Sequence, residues 1–187
     1  YPGVARNHLP LRAGEEADVC HIGEDGDCGV ATATKPTGVA QYHFTLNHTA
    51  AYATFLPYNA EGEISGAKIT KIKITADQAI AGTFDFDDSG IKLASRPTAT
   101  PANQSIELTL GTAGTGFGFK QTADIAKNAA TMVVAPGTYA TLKVEYTVND
   151  PDTHNGTTVT RNYTNVTFTA GLNKKITVDL SIPVYEN

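Results

Sequence analysis

Period-two alternation of apolar and polar residues dominates the chain from Tyr42 onward and is almost absent before it. The stretch "YHFTLN" places Tyr42, Phe44 and Leu46 on one face, and "AYATFLP" follows as a second strand that stops at Pro57. In "AKITKIKIT" Ile72 and Ile74 share one face while Lys71 and Lys73 share the other. Ile69 is out of phase with that pair, which predicts a β-bulge between Ile69 and Ile72. "GTFDF" aligns Phe84 with Phe86, "IKLA" aligns Ile91 with Leu93, and "SIELTL" aligns Ile106, Leu108 and Leu110. Beyond a glycine-rich link come "TMVVAP", then "TYATLKVEYTV" with Leu142, Val144, Tyr146 and Val148 in phase, then "TVTRNYTNVTF". "KKITVDLSI" closes the series with Ile176, Val178 and Leu180, and only "QTADIAKNAA" has room for a short helix.

Short strands with one apolar face, divided by Gly, Pro, Asn and Asp turns, are what antiparallel sheets with one solvated side require. Two such sheets must cover each other, so the pattern predicts an all-β antiparallel β-sandwich. Residues 1–40 are rich in Gly, Pro, Ala and acidic side chains, and are expected to form an irregular N-terminal arm. Residues 41–187 are expected to form the sandwich domain.

The 187 residues suit one domain, and 41% hydrophobic content supports an ordinary core. A formal charge of −5 argues against nucleic acid or an anionic membrane as partner, because both reward basic patches. No stretch approaches a membrane span. The opening "YPGVARNHLP" lacks the basic and apolar regions of an export signal and has no initiator methionine, so the chain reads as a processed or truncated product.

Candidate chemistry is sparse. "GTFDFDDSG" sets Asp85, Asp87 and Ser89 ahead of Gly90, the spacing of the first calcium-loop ligands, yet the twelfth position is Arg96 where a bidentate carboxylate is needed. Phe84 and Phe86 alternate with the aspartates as core against solvent, which favours a hairpin with an acidic outer face. Asp150 and Asp152 in "NDPDTHNG" could share a cation, but Pro151, Asn155 and Gly156 are ordinary turn residues between two strands, and the turn reading wins. The glycines of "GTAGTGFGFK" do not keep the spacing of a phosphate-binding loop and are expected to form a flexible surface connection. No serine sits in a nucleophile elbow, no carboxylate pair stands apart from the turns, and the five histidines fall in loops or on strand faces. Neither a catalytic residue, nor a metal ligand, nor a cofactor is assigned. Asn47, Asn103, Asn155, Asn162 and Asn165 each begin an Asn-x-Ser/Thr triplet, as a threonine-rich strand protein produces by composition. Cys20 and Cys28 bracket a short polar loop and are read as a disulfide of an oxidising compartment, since their spacing matches no zinc pattern.

"YHFTLNHTAAYATF", "SGAKITKIKITA" running into "AIAGTFDFDDSG", "TMVVAPGTYATLKVEYTV" and "FTAGLNKKITVDLSI" occur in an order that resembles the N-terminal domain of the Bacteroidales fimbrillin family, over about residues 40–182. The resemblance implies a transthyretin-like Greek-key sandwich and a structural or adhesive subunit of a type V fimbria, not an enzyme. It also implies export as a lipoprotein precursor, with the membrane touched only through a lipid anchor, and a place on the cell surface at the outer membrane. The expected partners are other pilin subunits, joined by strand addition, with host or bacterial surface glycans or proteins as further ligands. A trypsin-like cut after an arginine removes an N-terminal strand in that family, and "LPLRAGEE" offers Arg12–Ala13 as the matching site. The alternative is a surface module that binds a glycan or protein without polymerising.

Overall fold

The computed structural model describes residues 6–8, 22, 26–64, 66–111, 116–149 and 156–184. Its strands run in chain order as β1 (Arg6–His8), β2 (Gly29–Val30), β3 (Asn47–His48), β4 (Ala51–Tyr58), β5 (Lys68–Ala76), β6 (Phe86–Asp87) and β7 (Gly90–Ile91). They continue as β8 (Ser105–Thr109), β9 (Phe117–Gly118), β10 (Ala130–Val134), β11 (Gly137–Asn149), β12 (Thr157–Phe168) and β13 (Asn173–Asp179). The larger sheet has the order β1-β8-β5-β11-β12, with β9 beside the start of β5; the smaller has the order β10-β4-β13. The chain crosses between them at β4–β5, β9–β10, β10–β11 and β12–β13, so their apolar faces are built together.

The faces that meet are those the alternation marks. Ile69, Ile72 and Ile74 of β5, Ile106 and Leu108 of β8, and Val144 and Tyr146 of β11 have no exposed surface. They pack against Ala51, Ala53 and Phe55 of β4, Met132 of β10 and Val178 of β13 in one continuous core. Phe55 meets Tyr146 edge-on at 6.4 Å between ring centres, joining the two sheets at the middle. The fold is thus all-β and sandwich-like. Most pairings are antiparallel, while β13 on β4 and β1 on β8 run parallel.

The expected bulge is present. The β5–β11 register shifts between Val148↔Ile69 and Thr147↔Lys71, leaving Thr70 as the extra residue. Thr70 turns inward, and its hydroxyl takes a hydrogen bond from Asn149 Nδ2 at 2.9 Å.

Four local expectations change. β4 runs through Pro57 to Tyr58, since β10 pairs with it only as far as Phe55 and β13 alone accompanies it beyond. Residues 121–129 form turns rather than a helix; only Asn128 N–H to Asp124 O closes an i−4 bond, at 2.8 Å. The glycine-rich link is anchored, because Phe117–Gly118 pairs with Lys68–Ile69 and Phe117 and Phe119 are buried. Phe84 is buried while Phe86 is 39% exposed, in a two-residue strand β6 that pairs with β7 in a sheet separate from the two of the sandwich.

Buried polar side chains close the ends of the sandwich. Asn59, without exposed surface, donates through Nδ2 to Gly62 O and Ile182 O and accepts from Ile182 N–H at 2.8 Å. That side chain ties the end of β4 to the segment after β13.

Candidate functional site

Three features on the outside of the sandwich can engage a partner: an arm, a thinly covered sheet edge and an uncovered one.

The arm spans residues 29–48. It leaves the sandwich at β2, returns at β3 with Gly29↔His48 and Val30↔Asn47 in register, and carries a further bridge at Thr34↔His43. Every residue from 31 to 48 is exposed. Tyr42, Phe44 and Leu46, expected on one apolar face, stand exposed at 64%, 68% and 51%. The Lys35 ammonium lies 5.6 Å from the centre of the Tyr42 ring.

The base of the arm is held by side chains. His48 Nδ1 lies 3.0 Å from Asp27 Oδ1 and 3.0 Å from the Tyr52 hydroxyl, and that hydroxyl donates to the same Asp27 oxygen. Burial, and then the Asp27 hydrogen bond and charge, push the Tyr52 hydroxyl far above its ordinary range. The hydroxyl therefore stays protonated and keeps donating. Thr49 N–H donates to Cys28 O at 2.8 Å, and Cys28 Sγ sits 3.3 Å from Thr49 Oγ1. This cluster could be found in the sequence only in part: His48 and Tyr52 are close neighbours, while Asp27 lies more than twenty residues away.

The covered edge is β8. Among the described residues its outer side meets β1 over three positions, Arg6↔Glu107 to His8↔Thr109. The uncovered edge is β12, which among the described residues is paired only with β11. Its pairing is continuous from Thr157 to Thr164 and is interrupted at Asn165, where φ is +53°. The inward side chains Val159, Arg161 and Tyr163 are half-buried, and Thr158, Thr160, Asn162 and Thr164 face water. Arg161 is turned under the edge, donating to Asp179 O at 2.9 Å and Leu180 O at 3.0 Å.

The acidic stretch is a hairpin. Asp87 accepts from Ser89 N–H at 2.8 Å and from the Ser89 hydroxyl at 2.7 Å, and its other oxygen pairs with Lys92 at 2.7 Å. The lysine bond first, and then the two serine bonds, hold the Asp87 carboxyl down to about 2. Arg96 points into the molecule, as described below. No group of three or more metal-ligating side chains forms among the described residues. Arg12, Ala13, Cys20, Asp150 and Asp152 lie outside the described residues.

No protein-family model and no curated protein matches the chain. Solved structures to which its fold is similar include two candidate cell adhesion proteins. One is a candidate cell adhesion protein from Bacteroides fragilis NCTC 9343, at 17% identity and a TM-score of 0.44, covering 85% of this chain and 55% of that one. The other is a candidate cell adhesion protein from Bacteroides ovatus ATCC 8483, at 14% identity and a TM-score of 0.42, covering 74% of this chain and 42% of that one. The chain spans about half the length of these structures.

Proposed function

We propose that the chain is a structural and adhesive subunit of a type V fimbria on a bacterial surface, joined to its neighbours by strand addition. The observation that carries this reading is the cover on β8. A three-residue parallel strand, Arg6–His8, lies on an edge whose own inward residues, Ile106 and Leu108, are fully buried. Three ladder positions are a weak hold, and an open edge offers unpaired N–H and C=O groups to any extended segment. β1 precedes Arg12, so a cut between Arg12 and Ala13 separates it from the rest of the chain, with the Arg6–His8 ladder as its described pairing on β8. A longer strand from a second subunit then replaces it. Outer-membrane anchoring and surface glycan or protein ligands belong to this same reading.

The experiment is limited trypsin digestion followed by intact mass and negative-stain microscopy. The expected result is a cut after Arg12, loss of the segment before it, and filaments. Protein that is cut there and stays monomeric overturns the polymerising subunit and favours a surface binding module.

A further inference from the structure

We infer that the arm carries a binding site for a neutral oligosaccharide, on the face of Thr32, Thr34, His43, Thr45 and Asn47 where one rung of its ladder is open. The inference rests on the proposed surface role for its setting and gives the glycan ligand of that reading a place.

The arm is a hairpin that pairs at both ends of this face and not between them. Val30↔Asn47 and Thr34↔His43 share one register, which sets Thr32 opposite Thr45. Thr34 and His43 exchange both backbone hydrogen bonds at 2.8 Å, whereas Thr32 and Thr45 exchange neither. In an antiparallel ladder, positions two residues from an exchanging pair also turn their N–H and C=O groups toward each other. The open rung therefore leaves two donors and two acceptors facing inward across the hairpin, not outward along its edges. A partner strand pairs with outward groups and does not reach these. A compact ligand entering from the face does.

Side chains complete the site. Alternation puts Thr32, Thr34, His43, Thr45 and Asn47 on the face of that rung, and together with Phe44 they line a cavity of about 440 Å³. That volume falls in the range of about 300–1,000 Å³ typical of small-molecule sites. Three hydroxyls, an imidazole and a carboxamide each donate and accept, as the hydroxyls around a sugar ring do. Phe44, 68% exposed, adds apolar surface to meet the C–H face of a pyranose. Among the described residues, none that lines the cavity carries a formal charge, and the Lys35 ammonium stays over the Tyr42 ring. An ionised sugar or a phosphate gains no ion pair here to offset its desolvation, and a chain of charge −5 repels it. The paired ends of the hairpin, and the contacts of His48 with Asp27 and Tyr52 at its base, hold these groups in place before binding. That spares part of the ordering entropy.

The test is titration of the uncleaved chain with lactose, mannobiose and chitobiose, so that failure to bind sugar is separate from failure to polymerise after the Arg12 cut. At least one sugar is expected to shift the amide signals of residues 32–47 saturably, with a dissociation constant of about 0.1–10 mM. The Thr32 and Thr45 amides, without exchange protection in the free chain, slow about tenfold with that sugar at about ten times its dissociation constant. Thr32→Val combined with Thr45→Val keeps the shape, removes two hydroxyls and weakens binding about tenfold or more. The thermal midpoint of that variant matches the parent, because residues 31–48 are exposed. Sialyllactose binds no more tightly than lactose. No saturable shift with any of the three sugars at about 100 mM, shifts centred outside the arm, unaltered affinity in the double variant, or tighter binding of sialyllactose each overturns the inference. A chain that binds sugar and stays monomeric after cleavage overturns the polymerising subunit alone.

Discussion

Arg96 reaches from the segment before β8 to Tyr139 of β11, its Nη1 donating to the tyrosine hydroxyl at 3.0 Å while Nη2 donates to Pro136 O at 2.6 Å. Nη1 also donates to Ala79 O, and the guanidinium lies 5.5 Å from the ring centres of both Phe84 and Tyr139. The Tyr139 hydroxyl in turn donates a hydrogen bond to Ala135 O at 2.7 Å. One half-buried cation thus fixes the turn through which the chain passes from β10 to β11. Arg96→Met keeps the length but leaves these acceptors without a donor. A loss of about 2–4 kcal/mol is expected in urea unfolding, and a change under about 0.5 kcal/mol would show that the network contributes little.

Gly116 has no room for a side chain. A Cβ there would lie 2.4 Å from Ile69 O, a backbone atom of β5 at the site of its bulge. Gly116→Ala is expected to cost about 2 kcal/mol or more and to expose Phe117 and Phe119, seen as dye binding at temperatures where the parent is still folded.

The Tyr146 hydroxyl is buried and finds no hydrogen-bond partner among the described residues. Burial pushes its ionisation well above the ordinary range, so it stays neutral. Removing an unsatisfied buried hydroxyl costs nothing in lost bonds, and Tyr146→Phe is expected to leave stability unchanged or raise it by up to about 1 kcal/mol. Destabilisation by more than about 1 kcal/mol would reveal a partner for that oxygen.

Asp87 is held at about 2 against an ordinary 3.8, so it stays ionised as the pH falls through the range where carboxylates usually protonate. A lowered folded value places its contribution above the unfolded value, with loss as the pH falls toward about 2. Carbon NMR of the Asp87 carboxyl is expected to titrate near 2 in the parent and nearer 3.8 in Lys92→Met. The same midpoint in both proteins would remove Lys92 as the main cause.

The fold was readable where alternation sits on long strands. β5, β8, β11 and β13 carry their inward sets on the predicted residues, and even the bulge at Thr70 is written in the phase slip between Ile69 and Ile72. Alternation gives a strand an apolar face but does not say what lies over it. Tyr42, Phe44 and Leu46 therefore carry the alternation of a core strand and yet stand exposed, and Phe86 is 39% exposed. Arg96 read as the wrong charge for a calcium loop, while its role depends on carbonyls and a ring brought from Ala79, Pro136 and Tyr139 by the fold. The two edges are properties of strand order, and no local pattern in β8 or β12 announces that it ends a sheet.

The smaller sheet sets when the molecule can be finished. β4 is its middle strand, yet its two partners lie far along the chain: Ala53 pairs with Met132 on one side and with Lys174 on the other. β11 and β12, by contrast, form a hairpin of neighbours. Loop closure must come before such distant pairings are rewarded, so contacts of this separation form slowly. A chain emerging from the ribosome or from an export channel can close β11 on β12 early, but β4 must wait for Asn173–Asp179. Until then Ala53 and Phe55 lack their final neighbour, and the protein is most open to capture by a chaperone or a protease in that interval.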